Sequence, residues 1–326
     1  MYMFLVLMVA AVPEAQADSD SGEFRAGTKL WFGLPGHLDN ENNAEEIAAL
    51  FGAPTPELKK ILEHATVMEI RCSSLKQGAF SDDETLTAVL NGLSAYNIRL
   101  VVRVSVLGRA DTTGFRHDLD ALQRIEQKGY RIDGIICESV LSSAKERTGL
   151  DKGEQVAERS NFVADAIARI QDALGHELMV YIGDTSLAQG QKSKPQKPKR
   201  KKPKQAARYD FDRDTSELVA INAKRGIRVA GFIEAFNASR MSKGAAEIRA
   251  AVEHLHSLKC EAGIVPINDE TDPARYQALL EEQVKVILGA AHALDWISSS
   301  TWNRPDAVPT LEQHFKNTAA IIDAMK

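Results

Sequence analysis

The chain is poor in the signals that usually announce a chemistry. Its three cysteines, Cys72, Cys137 and Cys260, are an odd number and form no CxxC pair. They are expected on strands two, four and seven, where non-adjacent positions seldom bring Cα atoms within disulfide reach, so buried free thiols are expected. No HExxH or similar metal-ligand spacing occurs, and His254 and His256, two residues apart, point to different sides of a helix. No metal and no cofactor are therefore expected. The turn after the first apolar run reads Gly33-Leu-Pro-Gly-His37, which excludes the GxGxxG dinucleotide fingerprint. No apolar run has a lysine placed near its end for a Schiff base, which disfavours an aldolase. The segments after the last two runs, Asn268-Asp-Glu270 and Ser299-Ser-Thr301, lack the glycines of a barrel phosphate site.

What the chain does have is a rhythm. Eight short apolar runs, at 29–35, 66–72, 99–105, 132–138, 178–184, 228–234, 262–267 and 294–298, alternate with amphipathic stretches. Each run is too short for a helix and is bounded by turn residues. The stretches between them carry apolar residues at three- and four-residue spacing, such as Phe162, Ala166, Ile170 and Leu174, or Leu279, Val284, Ile287 and Leu288. Strand alternating with helix implies a parallel sheet, and eight such units in about 300 residues predict a single (β/α)8 barrel over 29–326.

Ahead of the barrel, residues 1–12 are apolar but too few to span a bilayer. Ala15-Gln-Ala17 supplies small residues at a cleavage spacing, and Asp18-Ser-Asp-Ser-Gly22 is a polar start. A signal peptide over 1–17, a polar segment over 18–28 and export to a secreted or periplasmic location are expected, with no transmembrane segment after cleavage. No lysine or arginine precedes the apolar run.

The composition changes abruptly over 188–208, which holds seven lysines, two arginines, three prolines and no acid. Such a segment has little apolar surface to bury and is expected to be a disordered loop after strand five. The chain's net charge of −5 becomes −14 once those nine positive charges are set aside, so an acidic body carries a basic loop. Electrostatic capture of a polyanion is one expectation. A tolerated, solvated insertion is the other. No aromatic residue precedes Tyr209 in the segment, so base stacking has no support.

Both faces of a barrel strand are covered, so charged residues inside strands must be paired or must face the pocket at the strand's C-terminal end. Glu69 and Arg71 share a face of strand two, where each can neutralise the other, and Arg103 shares a face with Ser105 on strand three. Strand four ends in Glu138, strand five supplies Tyr181 and Asp184, and strand six ends in Glu234 followed by Asn237. Strand seven leads to Asn268 and Asp269, and strand eight to Trp302. Two carboxylates across a pocket can serve as general acid and as base or nucleophile, and glycoside hydrolysis needs that pair. Glu138 and Glu234 are the catalytic candidates. Arg71, Arg103, Tyr181, Asp184, Asn237, Asn268, Asp269 and Trp302 are the candidates for binding a carbohydrate.

On these strand ends the chain resembles the broad glycosidase superfamily of (β/α)8 barrels. The resemblance implies an acid/base carboxylate ending strand four, an arginine near the end of strand two and a tryptophan ending strand eight, roles matched by position by Glu138, Arg71 and Trp302. It departs from the largest clan in two places: no glutamate ends strand seven, and Glu138 follows Cys137 rather than an asparagine. Other members pair strand four with strand six, which would make Glu234 the partner. Two alternatives stand beside a glycoside hydrolase. One is a non-catalytic carbohydrate-binding barrel that has lost a catalytic carboxylate. The other is a magnesium- or calcium-dependent lyase or hydrolase, with Glu138, Asp184, Glu234 and Asp269 ringing the cation. Asn237-Ala-Ser239 is also a formal glycosylation sequon.

Overall fold

The computed structural model describes residues 27–36, 38–104, 113–138, 140–141, 152–184, 210–237, 241–267, 270, 272–290, 292–299 and 310–326, without the side chains of 113–114, 152–155, 184, 237 and 241–243. The expected leader, the basic segment 188–208, Ser105, Asn268, Asp269 and Trp302 lie outside the described residues.

Eight strands close into a barrel in chain order, every neighbour parallel: β1 Lys29–Gly33, β2 Ala65–Arg71, β3 Arg99–Val104, β4 Gly134–Glu138, β5 Met179–Asp184, β6 Val229–Asn237, β7 Glu261–Ile267 and β8 Trp296–Ser298. β8 closes the ring by pairing with β1, Trp31 opposite Ser298. Around it run α1 Ala44–Gly52 and α2 Pro56–His64 after β1, α3 Cys72–Gln77 and α4 Asp83–Ala95 after β2, and α5 Thr113–Gln127 and α6 Lys152–Leu174 after β3 and β4. The set continues with α7 Phe211–Lys224, α8 Met241–Ser257, α9 Pro273–Ala290 and α10 Leu311–Met325. This is the expected (β/α)8 barrel. Several helices begin where a side chain satisfies the free backbone amides of the first turn: Thr55 accepts from Leu58, Asp82 from Thr85, Asp210 from Arg213 and Thr310 from Gln313.

Two cores follow from strand alternation. Leu30, Phe32, Met68, Ile70, Leu100, Val102, Ile135, Ile182, Phe232 and Ile264 point outward and pack with the helices. Trp31, Val67, Val101, Ile136, Tyr181, Ile233, Val265 and Trp296 fill the barrel interior. The interior is dominated by three rings: Trp31 and Trp296 stack at 4.4 Å with planes 10° apart, and Tyr181 meets both edge-on at 4.9 and 5.4 Å. Glycine makes room for them, since a Cβ on Gly263 would lie 2.0 Å from Trp296 Cε2 and one on Gly231 2.8 Å from Trp296 Cη2.

Some expectations are corrected. Phe162 is 42 % exposed, whereas Ala166 and Ile170 of the same series are buried and Leu174 packs against the core, joined on the core face of α6 by Val163, Ala164 and Ile167. A strict four-residue spacing drifts about 40° per step around a helix, so the first member of the 162–174 series falls outside the buried stripe. β6 continues three residues past Glu234. Cys72 opens α3 and Cys260 precedes β7, so only Cys137 lies within a strand. All three thiols are free and buried, and burial pushes Cys137 up to about 12 and Cys260 up to about 11, far from a reactive thiolate. Among the described residues no helix is long and apolar enough to cross a membrane.

Candidate active site

Above the aromatic layer, at the C-terminal ends of the strands, the interior turns polar. The register fixes this. Glu69 lies opposite Gly33 on β1, Arg71 opposite Arg103 on β3, and Glu138 opposite Gly183 on β5. These positions are in phase with the interior residues Val67, Val101 and Ile136, two or four residues earlier on their strands.

Glu69 and Arg103 form the buried centre. Arg103 donates from Nε to Glu69 Oε2 at 2.7 Å, and its Nη2 lies 2.5 Å from the same oxygen. Ser298 on β8 donates to Glu69 Oε1 at 2.5 Å. On its other side Arg103 Nη1 reaches Glu138 Oε1 at 3.3 Å. Gly183 leaves space for this guanidinium: a Cβ there would lie 3.1 Å from Ile136 Cγ2 and 3.7 Å from Arg103 Nη1. Burial works against the charge on Arg103, but Glu69 and then Glu138 more than offset it and hold the guanidinium above its usual range. The side chains of Arg103 and Glu69 are 4 % and 1 % exposed, whereas that of Glu138 is 23 % exposed. Glu138 is the member of the group that meets solvent.

Sequence spacing suggested that Glu69 and Arg71 neutralise each other; Glu69 does favour the charge on Arg71, and its carboxylate is gripped as well by Arg103 on the neighbouring strand. Residues two apart on one strand are separated by about 6.6 Å, while neighbouring strands lie only about 4.8 Å apart. Arg71 runs instead toward the β1–α1 loop, where a Cβ on Gly36 would fall 2.1 Å from its Nη1. Burial and the nearby Arg103 pull the Arg71 guanidinium below its ordinary range, and Glu138, Asp39 and Glu69 oppose that pull.

Asp39, in the same loop, was not among the candidates read from the sequence. Here Asn40 does the capping, accepting from Asn42, while Asp39 is buried and accepts a hydrogen bond from Ser74 of α3. Burial raises its carboxyl to about 6, with the Ser74 bond and the charge of Arg71 working in the other direction. A carboxyl raised in the folded state binds its proton more tightly there than when unfolded. Its contribution is therefore full below about pH 4 and is lost as pH rises through 6. Asp39→Asn is accordingly expected to gain stability over the wild type across that interval, by up to about 3 kcal/mol. Urea unfolding at pH 4 and pH 7 measures it, and an equal difference between the two proteins at both pH values would refute it.

The other candidates are distributed differently. Tyr181 lies in the aromatic layer, 1 % exposed, with its hydroxyl 3.5 Å from Glu261 Oε2 at the N-terminal end of the barrel. As the third residue of its strand it sits below the mouth. Glu234 is buried and alternates with Phe232 and Phe236 of the helix-side core, whereas Ile233 between them faces the interior. Glu138 and Glu234 thus stand on opposite faces of the barrel wall. Asp184 is paired with Glu234 across β5 and β6, and Asn237 ends β6. Glu69, Ser298 and Asp39 are the members of the site that sequence reasoning did not single out as functional. A charged residue at position five of β2, flanked by the apolar Val67, Met68 and Ile70, was the signal that could have raised Glu69. Among the described residues no group of three His, Cys, Asp or Glu side chains is arranged to hold a metal.

A cleft of about 620 Å³ lies outside the barrel, lined by Leu75, Lys76, His117, Asp120 and Arg124 among others. Arg124 there donates to the carbonyls of Leu75, Phe80 and Ser81, and Lys76 pairs with Asp118, so its charges tie α3 to α5.

No protein-family model matches this sequence, and no curated protein matches it. Solved structures do match in shape. A psychrophilic glycoside hydrolase family 10 endo-β-1,4-xylanase superposes with a TM-score of 0.54 at 9 % identity, over 91 % of this chain and 96 % of its own. A xylanase from Paenibacillus barcinonensis, solved with a conduramine derivative, gives 0.50 at 12 % identity over 90 % and 95 %. The N-terminal xylanase modules from Clostridium thermocellum, solved with xylohexaose, give 0.51 at 11 % identity over 91 % and 66 %. At these identities the likeness establishes the fold alone, a (β/α)8 barrel.

Proposed function

We propose that this chain acts on a poly- or oligosaccharide by carboxylate chemistry centred on Glu138. The observation that carries the proposal is the placement of Glu138: the end of β4, partly exposed, with its carboxylate against the Arg103 guanidinium inside the barrel. A fixed carboxylate beside two arginines, with an aromatic layer beneath, suits the binding of sugar hydroxyls and proton transfer to or from a glycosidic oxygen. The xylanase likenesses make a β-1,4-linked sugar chain the first substrate to try. Asn237 at the end of β6, with Asn268, Asp269 and Trp302 beyond the ends of β7 and β8, completes the proposed binding surface, while Asp184 shares the outward phase of Glu234. Export through the 1–17 leader and attachment to an acidic polymer through 188–208 belong to the same proposal.

One set of measurements on the purified protein tests it. Calorimetric titration with xylo-oligosaccharides is expected to show binding, and reducing-end assays are expected to show cleavage. Retention on an immobilised polyanion is expected to fall with salt and to disappear when 190–206 are deleted. Binding without cleavage would identify a carbohydrate-binding barrel. Neither binding nor cleavage across a wider set of glycans would overturn the proposal.

A further inference from the structure

Glu138 does not hold its position alone. Four strands contribute to one continuous chain of contacts: Ser298 on β8 donates to Glu69 on β2, Glu69 takes two nitrogens of Arg103 on β3, and Arg103 reaches Glu138 on β4. The two ends differ in accessibility. Ser298 is fully buried and Glu69 and Arg103 nearly so, while Glu138 meets solvent. Each inner contact is 2.7 Å or shorter, and the outermost is 3.3 Å. The planar guanidinium is a fork with fixed directions, so the oxygen that grips Nε and Nη2 also dictates where Nη1 points. Glu69 itself is oriented by Ser298, because a carboxylate whose second oxygen is taken by a hydroxyl cannot turn freely.

We propose that Ser298 and Glu69 are positioning residues that fix, through Arg103, where the Glu138 carboxylate stands at the barrel mouth. Neither reaches the mouth. Their effect on a substrate passes through Arg103, whose charged neighbours are Glu69 on β2, Glu138 on β4 and Arg71 on β2. The proposal rests on the sugar-cleaving function assigned to Glu138, but the contact chain is testable without it. Displacing a reacting group by about 1 Å can cost a hundredfold in rate while leaving binding intact.

The test uses Ser298→Ala, with Ser298→Thr as the variant that restores the hydroxyl. The first readout is the ¹⁵Nε–¹H resonance of Arg103, which a buried, doubly bonded guanidinium protects from exchange. It is expected to shift and exchange faster in Ser298→Ala and in Glu138→Gln, and to return in Ser298→Thr. The second is a KM-against-kcat split, in which Ser298→Ala loses about ten- to a hundredfold in kcat with KM little changed, and Ser298→Thr recovers the rate. An Arg103 resonance unmoved by Ser298→Ala overturns the proposal even if the wild type cleaves sugars. A resonance that responds in a wild type that cleaves nothing supports the contact chain and places the failure in the assigned function. Loss of binding together with rate in Ser298→Ala would show a structural role only, and would also overturn it.

Discussion

Replacing Arg103 by methionine is expected to cost the fold about 3–5 kcal/mol, the range for removing one partner of a buried ion pair. The penalty comes less from the lost attraction than from what remains: Glu69 would keep its charge inside the barrel without the two short guanidinium contacts that Arg103 supplies. Urea unfolding followed by circular dichroism measures the loss. Adding Glu69→Leu in the same chain removes the stranded charge and is expected to recover most of it, because apolar replacements of a whole buried pair are often neutral or stabilising. A single substitution within about 0.5 kcal/mol of the wild type would contradict the pairing, that being the usual range for an uninvolved surface site.

Glu138→Gln is expected to act in the opposite way, leaving the fold intact and lowering turnover. Glutamine keeps the shape and can still accept from Arg103 Nη1, but it cannot give up or take a proton. A group that transfers a proton in the transition state typically contributes about 10²- to 10⁴-fold, which sets the expected fall in kcat. Sugar affinity by calorimetry and the urea midpoint are expected to stay near the wild type, as the side chain is partly exposed and buries no unpaired charge when amidated. Undiminished cleavage by Glu138→Gln would remove Glu138 from the reaction.

The fold was legible in the sequence because barrel strands are covered on both faces. Val101 and Val102, or Ile135 and Ile136, are buried on opposite sides of one strand, so the runs read as continuous apolar stretches. The same property hides the phase. In Val229-Ala-Gly-Phe-Ile-Glu234 both faces are apolar, and a register shift lies between Val180 and Tyr181 in the pairing of β5 with β6, so the face of Glu234 was not readable. Where charges interrupt a strand a shared face shows itself: Glu69 and Arg71 were put on one face of β2 from spacing alone. The grip of Arg103 on Glu69 was not legible, because contact between strands depends on barrel stagger, which spacing along a strand does not contain. Asp39 escaped notice because its burial comes from α3, an element 35 residues downstream through Ser74.

The stacked indoles carry one more consequence. Trp31 belongs to the first strand and Trp296 to the last, so their 4.4 Å contact joins the two ends of the barrel sequence and exists only once the ring has closed. Local helices and single strand pairs form without it. The excited-state coupling of these two chromophores is therefore an optical seam, a built-in signal that separates a completed ring from a collapsed chain with its secondary structure already in place.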